Sequence, residues 1–208
     1  MRTMAAQHKK SSPGKASTGK LRIIGGRWRG RRFVCPPGMT TRPTGDRVRE
    51  TLFNWLAPYI AGTRCLDLFA GTGALGLEAL SRGAQSACFV DRDAAAIRQL
   101  DTTLHELDCD DGTVIKGDAR RFLSGVPERF DLVFIDPPFG DLDLANLCTL
   151  LEANWLAPSA HIYIEMSRQA ELPVLPDAWE IWRDKSAGQV RFMLARRCES
   201  QEASKLRS

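Results

Sequence analysis

The chain has 208 residues, with 29 Lys and Arg against 25 Asp and Glu, 43% hydrophobic residues and a formal net charge of +4. That length makes one domain of ordinary size the default, and the hydrophobic fraction can supply a buried core. No apolar run approaches the roughly 18 residues of a membrane span, so the composition excludes a membrane-spanning chain and predicts a soluble globular one. The total charge conceals an asymmetry. Residues 1–49 hold 13 Lys and Arg against the single acid Asp46, while residues 50–208 hold 16 bases against 24 acids. An acidic body with a basic front end favours a polyanion as partner; the bland alternative is a soluble tail.

The first 19 residues, with Lys9, Lys10 and Lys15 among Ser, Gly and Pro, lack the apolar stretch of a signal peptide and read as a disordered basic arm. Leu21 to Val34 (LRIIGGRWRGRRFV) mixes β-branched and aromatic residues with three glycines and predicts a short, bulged β-hairpin with a basic face. Its Arg27, Arg29, Arg31 and Arg32 surround Trp28, either as an RNA-binding surface or as the charge that protects an edge strand. Pro43 and Thr44 then open a helix whose Val48, Leu52, Trp55, Leu56 and Tyr59 fall on one stripe. Near its start, Arg42, Arg47 and Arg49 form either an anion-binding cluster or ordinary pairs with Asp46 and Glu50.

From Arg64 apolar strands alternate with helical stretches: CLDLF, a helix from about Ala74, ACFVD, a helix near Ala94 to Leu107, GTVIKGD, FDLVFID, a helix around Leu144 to Trp155, and HIYIE. This alternation predicts an α/β fold with a mostly parallel, doubly wound sheet whose ligand lies at the strands' carboxyl ends. Trp179 to Trp182 and Val190 to Leu194 predict a C-terminal antiparallel hairpin across Asp184 to Gln189, and residues 199–208 a polar tail. The six cysteines are scattered without a CxxC or Cys/His pattern, which predicts reduced core residues of a cytoplasmic protein and no metal site.

Two motifs carry chemistry. Asp67-Leu-Phe-Ala-Gly71-Thr-Gly73 follows a strand and opens a helix, so Gly71 and Gly73 let the backbone approach a ligand. Asp91 ends the next strand, where a carboxylate can accept both hydroxyls of a ribose; a nucleoside cofactor and a dinucleotide both fit so far. The separation comes from Asp136-Pro137-Pro138-Phe139 after the FDLVFI strand. The Asp136 carboxylate and the Pro137 carbonyl are two acceptors for the two hydrogens of an exocyclic base amine, a way to orient its nitrogen for attack, and Phe139 can stack on the base. A Pro-Pro pair is otherwise a plain strand terminator. Glu165, ending the HIYIE strand, either faces this cleft or caps the next segment.

With FAGTG and DPPF in place, the sequence resembles class I S-adenosylmethionine-dependent methyltransferases with a Rossmann-like sheet. RIIGGRWRGRRF, RPTGDRVRETLFNWLAP, LDLFAGTGALGLEALSRGA and AGQV extend the match, from about Lys20 to Arg197, to the bacterial 16S ribosomal RNA guanine-N2 methyltransferase family, the small-subunit methyltransferase D group. The resemblance implies a 20–60 extension of hairpin and helix before a methyltransferase domain at 61–198. It implies S-adenosyl-L-methionine held by Asp67, Gly71, Gly73, Asp91, Arg92, Asp118 and Ala119, and catalysis at Asp136, Pro137, Pro138 and Phe139. The implied partner is 16S rRNA, in a partly or fully assembled small subunit, contacted through Arg27, Trp28, Arg29, Arg31, Arg32, Arg42 and Arg47 by a monomer. The competing readings are a nicotinamide dehydrogenase, a DNA or other RNA amino-methyltransferase acting on adenine N6, and a non-catalytic RNA-binding protein.

Overall fold

The computed structural model describes residues 19–35, 43–138 and 143–198. Residues 1–18 of the basic arm, the polar tail, Arg42 and Phe139 lie outside the described residues. The elements run in the order β1 (Lys20–Arg22), β2 (Arg32–Val34), α1 (Pro43–Leu56), β3 (Arg64–Asp67), α2 (Ala74–Ser81), β4 (Ser86–Asp91), α3 (Ala94–Glu106), β5 (Gly112–Lys116), α4 (Ala119–Leu123), β6 (Phe130–Ile135), α5 (Leu144–Glu152), β7 (Leu156–Ser167), β8 (Trp179–Ala187) and β9 (Val190–Arg197).

Strands β3 to β9 form one sheet in the order β5-β4-β3-β6-β7-β9-β8. Its first five strands are mutually parallel, and β9 pairs antiparallel with both β7 and β8. The central strands are nearly continuous apolar runs because helices cover both faces. On one face α1, α2, α3 and the β1–β2 hairpin pack on Cys65, Phe89, Phe134, Tyr163 and Phe192. On the other, α4 and α5 bury Leu123, Leu147 and Leu151 against Leu66, Val133 and Ile164. The chain leaves β3 first toward β4 and β5, then crosses back to place β6 on the other side of β3. That reversal opens a crevice beyond the carboxyl ends of β3, β4 and β6.

Three helices start on side-chain caps. Asp93 accepts from the amides of Ala95 and Ala96, Asp118 from those of Arg120 and Arg121, and Asp143 from that of Asn146. Of the predicted α1 stripe, Val48, Leu52 and Leu56 are buried and Trp55 partly so; Phe53 joins the buried face, while Tyr59 lies beyond the helix end and is exposed. Among the described residues no helix is long and apolar enough to cross a membrane, and no group of His, Cys, Asp or Glu is arranged to hold a metal ion.

Three local expectations change. The C-terminal hairpin continues through the polar stretch read as its connection, leaving Gly188 and Gln189 as the turn, with Gly188 at φ 62°. That stretch is polar because β8 is an edge strand, where Asp184 pairs with Arg191 of β9. The last helix stops at Glu152 rather than Trp155, since the Trp155 indole turns inward to donate to the Leu123 carbonyl at 3.0 Å. The segment after β5 forms the short helix α4, too brief to show a periodic stripe.

Candidate active site

The loop between β3 and α2 is shaped by carboxylates from two neighbouring strands. Asp67, 1% exposed at the end of β3, reaches forward to accept the Gly76 amide at 3.1 Å, tying the strand to the first turn of α2. Gly73 carries a left-handed φ of 76° at the start of that helix, and a Cβ there would lie 2.4 Å from a Leu100 methyl. Asp91, half-buried at the end of β4, accepts the Gly71 amide with one oxygen and the Asp93 amide with the other, each at 2.8 Å. Its own carbonyl accepts the Gly117 amide, so the loops after β3, β4 and β5 are joined through one residue.

Of the other residues assigned to the cofactor, Asp118 is exposed and uses one oxygen to cap α4, Ala119 is buried beneath it, and Arg92 is exposed on the rim. Asp136 and Pro137 follow β6 directly, with Pro137 buried and Pro138 exposed. Glu165, which the sequence left open, faces the cleft. The parallel register Ile135↔Ile164 sets Asp136 and Glu165 side by side at the ends of β6 and β7. A cleft of about 260 Å³ opens between Pro137, Pro138, Glu165 and Ser167. Tyr163, fully buried on β7, donates its hydroxyl to Glu165 Oε2 at 2.6 Å, a partner that the apolar look of HIYIE gave no reason to expect.

The result is a row of acids across four adjacent strands: Asp91, Asp67, Asp136 and Glu165. Burial raises the Asp67 carboxyl to about 7 against its bond from Gly76, and the charge of Asp91 adds to the rise. Burial also raises Asp136 well above the carboxylate range, helped by Glu165 and then Asp67, and burial raises Glu165 in the face of the Tyr163 hydrogen bond. The loops Leu68 to Gly73 and Pro137 to Pro138 contribute no Lys or Arg. A set of oxygen acceptors with no cation in these two loops suits a ligand rich in hydroxyl and amine donors better than a pyrophosphate.

The hairpin assigned to RNA lies elsewhere. Its turn sits on the ends of α2 and α3: Trp28 donates its amide to Ser81 Oγ at 3.0 Å, Arg27 meets Asp111 at 3.5 Å, and Arg31 donates to the Glu106 carbonyl at 3.1 Å. These anchors stand at the amino-terminal ends of the strands, opposite the carboxylates and about 17 Å away along the five residues of β5. Trp28 is not a surface for stacking a base. It is 9% exposed in the core, with the Arg27 guanidinium 4.1 Å above its ring. Arg29, Arg32 and Arg47 are exposed, whereas Arg49 is buried and takes the pairing option, donating to Asp46 at 3.0 Å and to the Arg22 carbonyl at 2.7 Å.

Comparison with known proteins agrees with this architecture over nearly the whole chain. The model of the family described as Conserved hypothetical protein 95 matches residues 21–196. The chain is 47% identical over 186 residues to ribosomal RNA small subunit methyltransferase D of Escherichia coli (strain K12), covering 89% of this chain and 94% of that one. Identity to its namesake in Haemophilus influenzae is 43% over 182 residues, covering 85% and 93%. The solved structure of the Escherichia coli protein yhhF matches with a TM-score of 0.83 at 45% identity, over 88% of this chain and 100% of that one. The chain therefore belongs to the Conserved hypothetical protein 95 family and to the ribosomal RNA small subunit methyltransferase D group of class I methyltransferases.

Proposed function

We propose that this protein methylates 16S ribosomal RNA of the small subunit from S-adenosylmethionine, in the cytoplasm, and that the acceptor is the exocyclic N2 amine of a guanine in a partly or fully assembled particle. The observation that carries the reading is the acid row meeting the Asp136–Pro137 acceptors at the carboxyl ends of β3, β4, β6 and β7. The donor set fits the cofactor: oxygen acceptors and loop amides are present, and Lys and Arg are absent from the loops Leu68 to Gly73 and Pro137 to Pro138. When bound, S-adenosylmethionine supplies a methyl group on a sulfonium, an electrophile that needs no further activation.

The chain's own groups do the rest. Asp91 and Asp118 each keep acceptor capacity beyond their loop bonds, suited to the ribose hydroxyls and the adenine amine. Asp136 and the Pro137 carbonyl hold both amine hydrogens, which turns the nitrogen lone pair toward the methyl. Positioning supplies most of the acceleration. The amine proton becomes acidic only as the new bond forms, so no strong general base is needed, and the raised proton affinity of Asp136 favours its receiving the proton. A paired guanine hides its N2 from in-line attack, so the base enters from a loop or is turned out of its stack.

The test is label transfer from methyl-labelled S-adenosylmethionine to naked 16S RNA, small subunits and DNA in parallel, with nucleoside mapping. N2-methylguanosine in the small-subunit RNA is the expected product; label on DNA alone, or on adenine N6, overturns the reading.

A further inference from the structure

Glu165 stands beside the proposed amine site with one oxygen committed and one free. Oε2 accepts the buried Tyr163 hydroxyl, while Oε1 has no protein partner among the described residues. The carboxyl lines the cleft next to Pro137 and Pro138 and is adjacent in register to Asp136. Together, Asp136, Pro137 and Glu165 bring three acceptor groups to the adjoining ends of β6 and β7 beside the cleft.

The Watson–Crick edge of guanine carries three donors, the two N2 hydrogens and N1–H. Adenine offers two amine hydrogens and then a bare N1 lone pair. We propose that Glu165 is the residue that selects guanine, its Oε1 accepting N1–H while Asp136 and Pro137 hold the N2 amine. This assignment rests on the guanine-N2 reading above. An adenine presented in the same pose sets its N1 lone pair against the carboxylate, so exclusion comes from repulsion as well as from a lost hydrogen bond. Tyr163 acts as a positioning residue: with one carboxylate oxygen fixed by a hydroxyl from the core, the other has a fixed direction.

The experiment uses the full chain and two preparations of small subunits reconstituted with 16S RNAs that differ only at the mapped guanosine. One carries guanosine and the other 2-aminopurine riboside, which keeps the 2-amine but has no N1–H. The parent is expected to favour guanosine in kcat/KM by about 30-fold, the order of one hydrogen bond to a charged group. In Glu165→Gln the amide can donate to the bare N1, and the preference is expected to fall to about threefold or less, with affinity for S-adenosylhomocysteine within twofold of the parent. Comparing the two ratios cancels the intrinsic reactivity of the analogue. An unchanged ratio in Glu165→Gln overturns the proposal. If that variant is inactive on both RNAs, the parent decides, and a parent preference below threefold overturns it. If mapping of the parent's product finds no N2-methylguanosine, the guanine-N2 reading itself falls, a result distinct from either ratio.

Discussion

The two oxygens of Glu78 accept the backbone amides of Ile24 and Gly25, at 2.8 and 2.7 Å, from a position on α2 that is fully buried. Arg82, one turn on, balances the charge at 2.8 Å. Ser81 completes the joint by donating to the Gly25 carbonyl at 2.6 Å. The N-terminal hairpin is thus fastened to the same helix whose first turn closes the cofactor loop, and the two segments share one core.

Removing that carboxylate leaves two half-buried amides without their acceptor and breaks the ion pair with Arg82. Glu78→Ala is expected to cost about 3–5 kcal/mol of folding stability, read as a lower denaturant midpoint. Gly26→Ala is expected to destabilise as well, because at φ 73° its Cβ would lie 1.8 Å from the Ser81 carbonyl oxygen. Equal midpoints for the variants and the parent would refute the joint.

Asp67 should leave a signature in pH. Its folded value of about 7 lies above the usual carboxylate value of about 3.9, so between these limits the folded chain keeps a proton that the unfolded chain has lost. Stability from this group is therefore full below about pH 4 and declines as pH rises to about 7. Denaturant midpoints of the ligand-free protein are expected to be higher at pH 5 than at pH 7.5, with the difference reduced in Asp67→Asn. A midpoint difference unaltered by the substitution contradicts the assignment.

At the reacting centre, Asp136→Asn keeps the shape but replaces one amine acceptor with a donor. The expected loss in kcat on small subunits is a hundredfold or more, about 2.7 kcal/mol of transition-state stabilisation, while S-adenosylhomocysteine binding stays within about threefold. A loss below tenfold would mean that this carboxylate does not orient the amine.

The hairpin arginines are expected to behave differently, because they stand at the far ends of the strands. Arg29 and Arg32 are exposed and enter no ion pair among the described residues. Replacing both with Ala is expected to weaken RNA binding and lower the salt slope by about 1.5, with kcat at saturating RNA unchanged. A slope equal to the parent's would return the hairpin to a purely structural role.

How much of this was legible in the sequence depended on whether a residue's role was local. The place of Asp91 beside the glycine loop could be read from its position at the end of the strand that follows that loop. The parallel sheet followed from the alternation of strand and helix, whereas the order of its strands did not. Trp28 was misplaced because a nine-residue turn has no period, and nothing nearby in the chain tells whether a tryptophan between arginines points in or out. Glu78 was overlooked although it had a signal: it is the one acid in a helix, ALGLEALS, that is otherwise buried nearly all round. An acid in that setting needs partners, and those lie 53 and 54 residues away, where spacing is silent. Glu165 stayed ambiguous for the same reason, since its neighbour Asp136 is close only through the pairing of β6 with β7.

Strand β9 lies between β7 and β8, although it follows both in the chain. During synthesis β7 therefore emerges with an open edge, and β8 after it has no strand to pair with until β9 has left the ribosome. Glu165 is consequently set in a finished sheet only when the chain has been made to about Arg197. A nascent chain that stops short of β9 therefore carries β7, and Glu165 with it, at the open edge of an unfinished sheet.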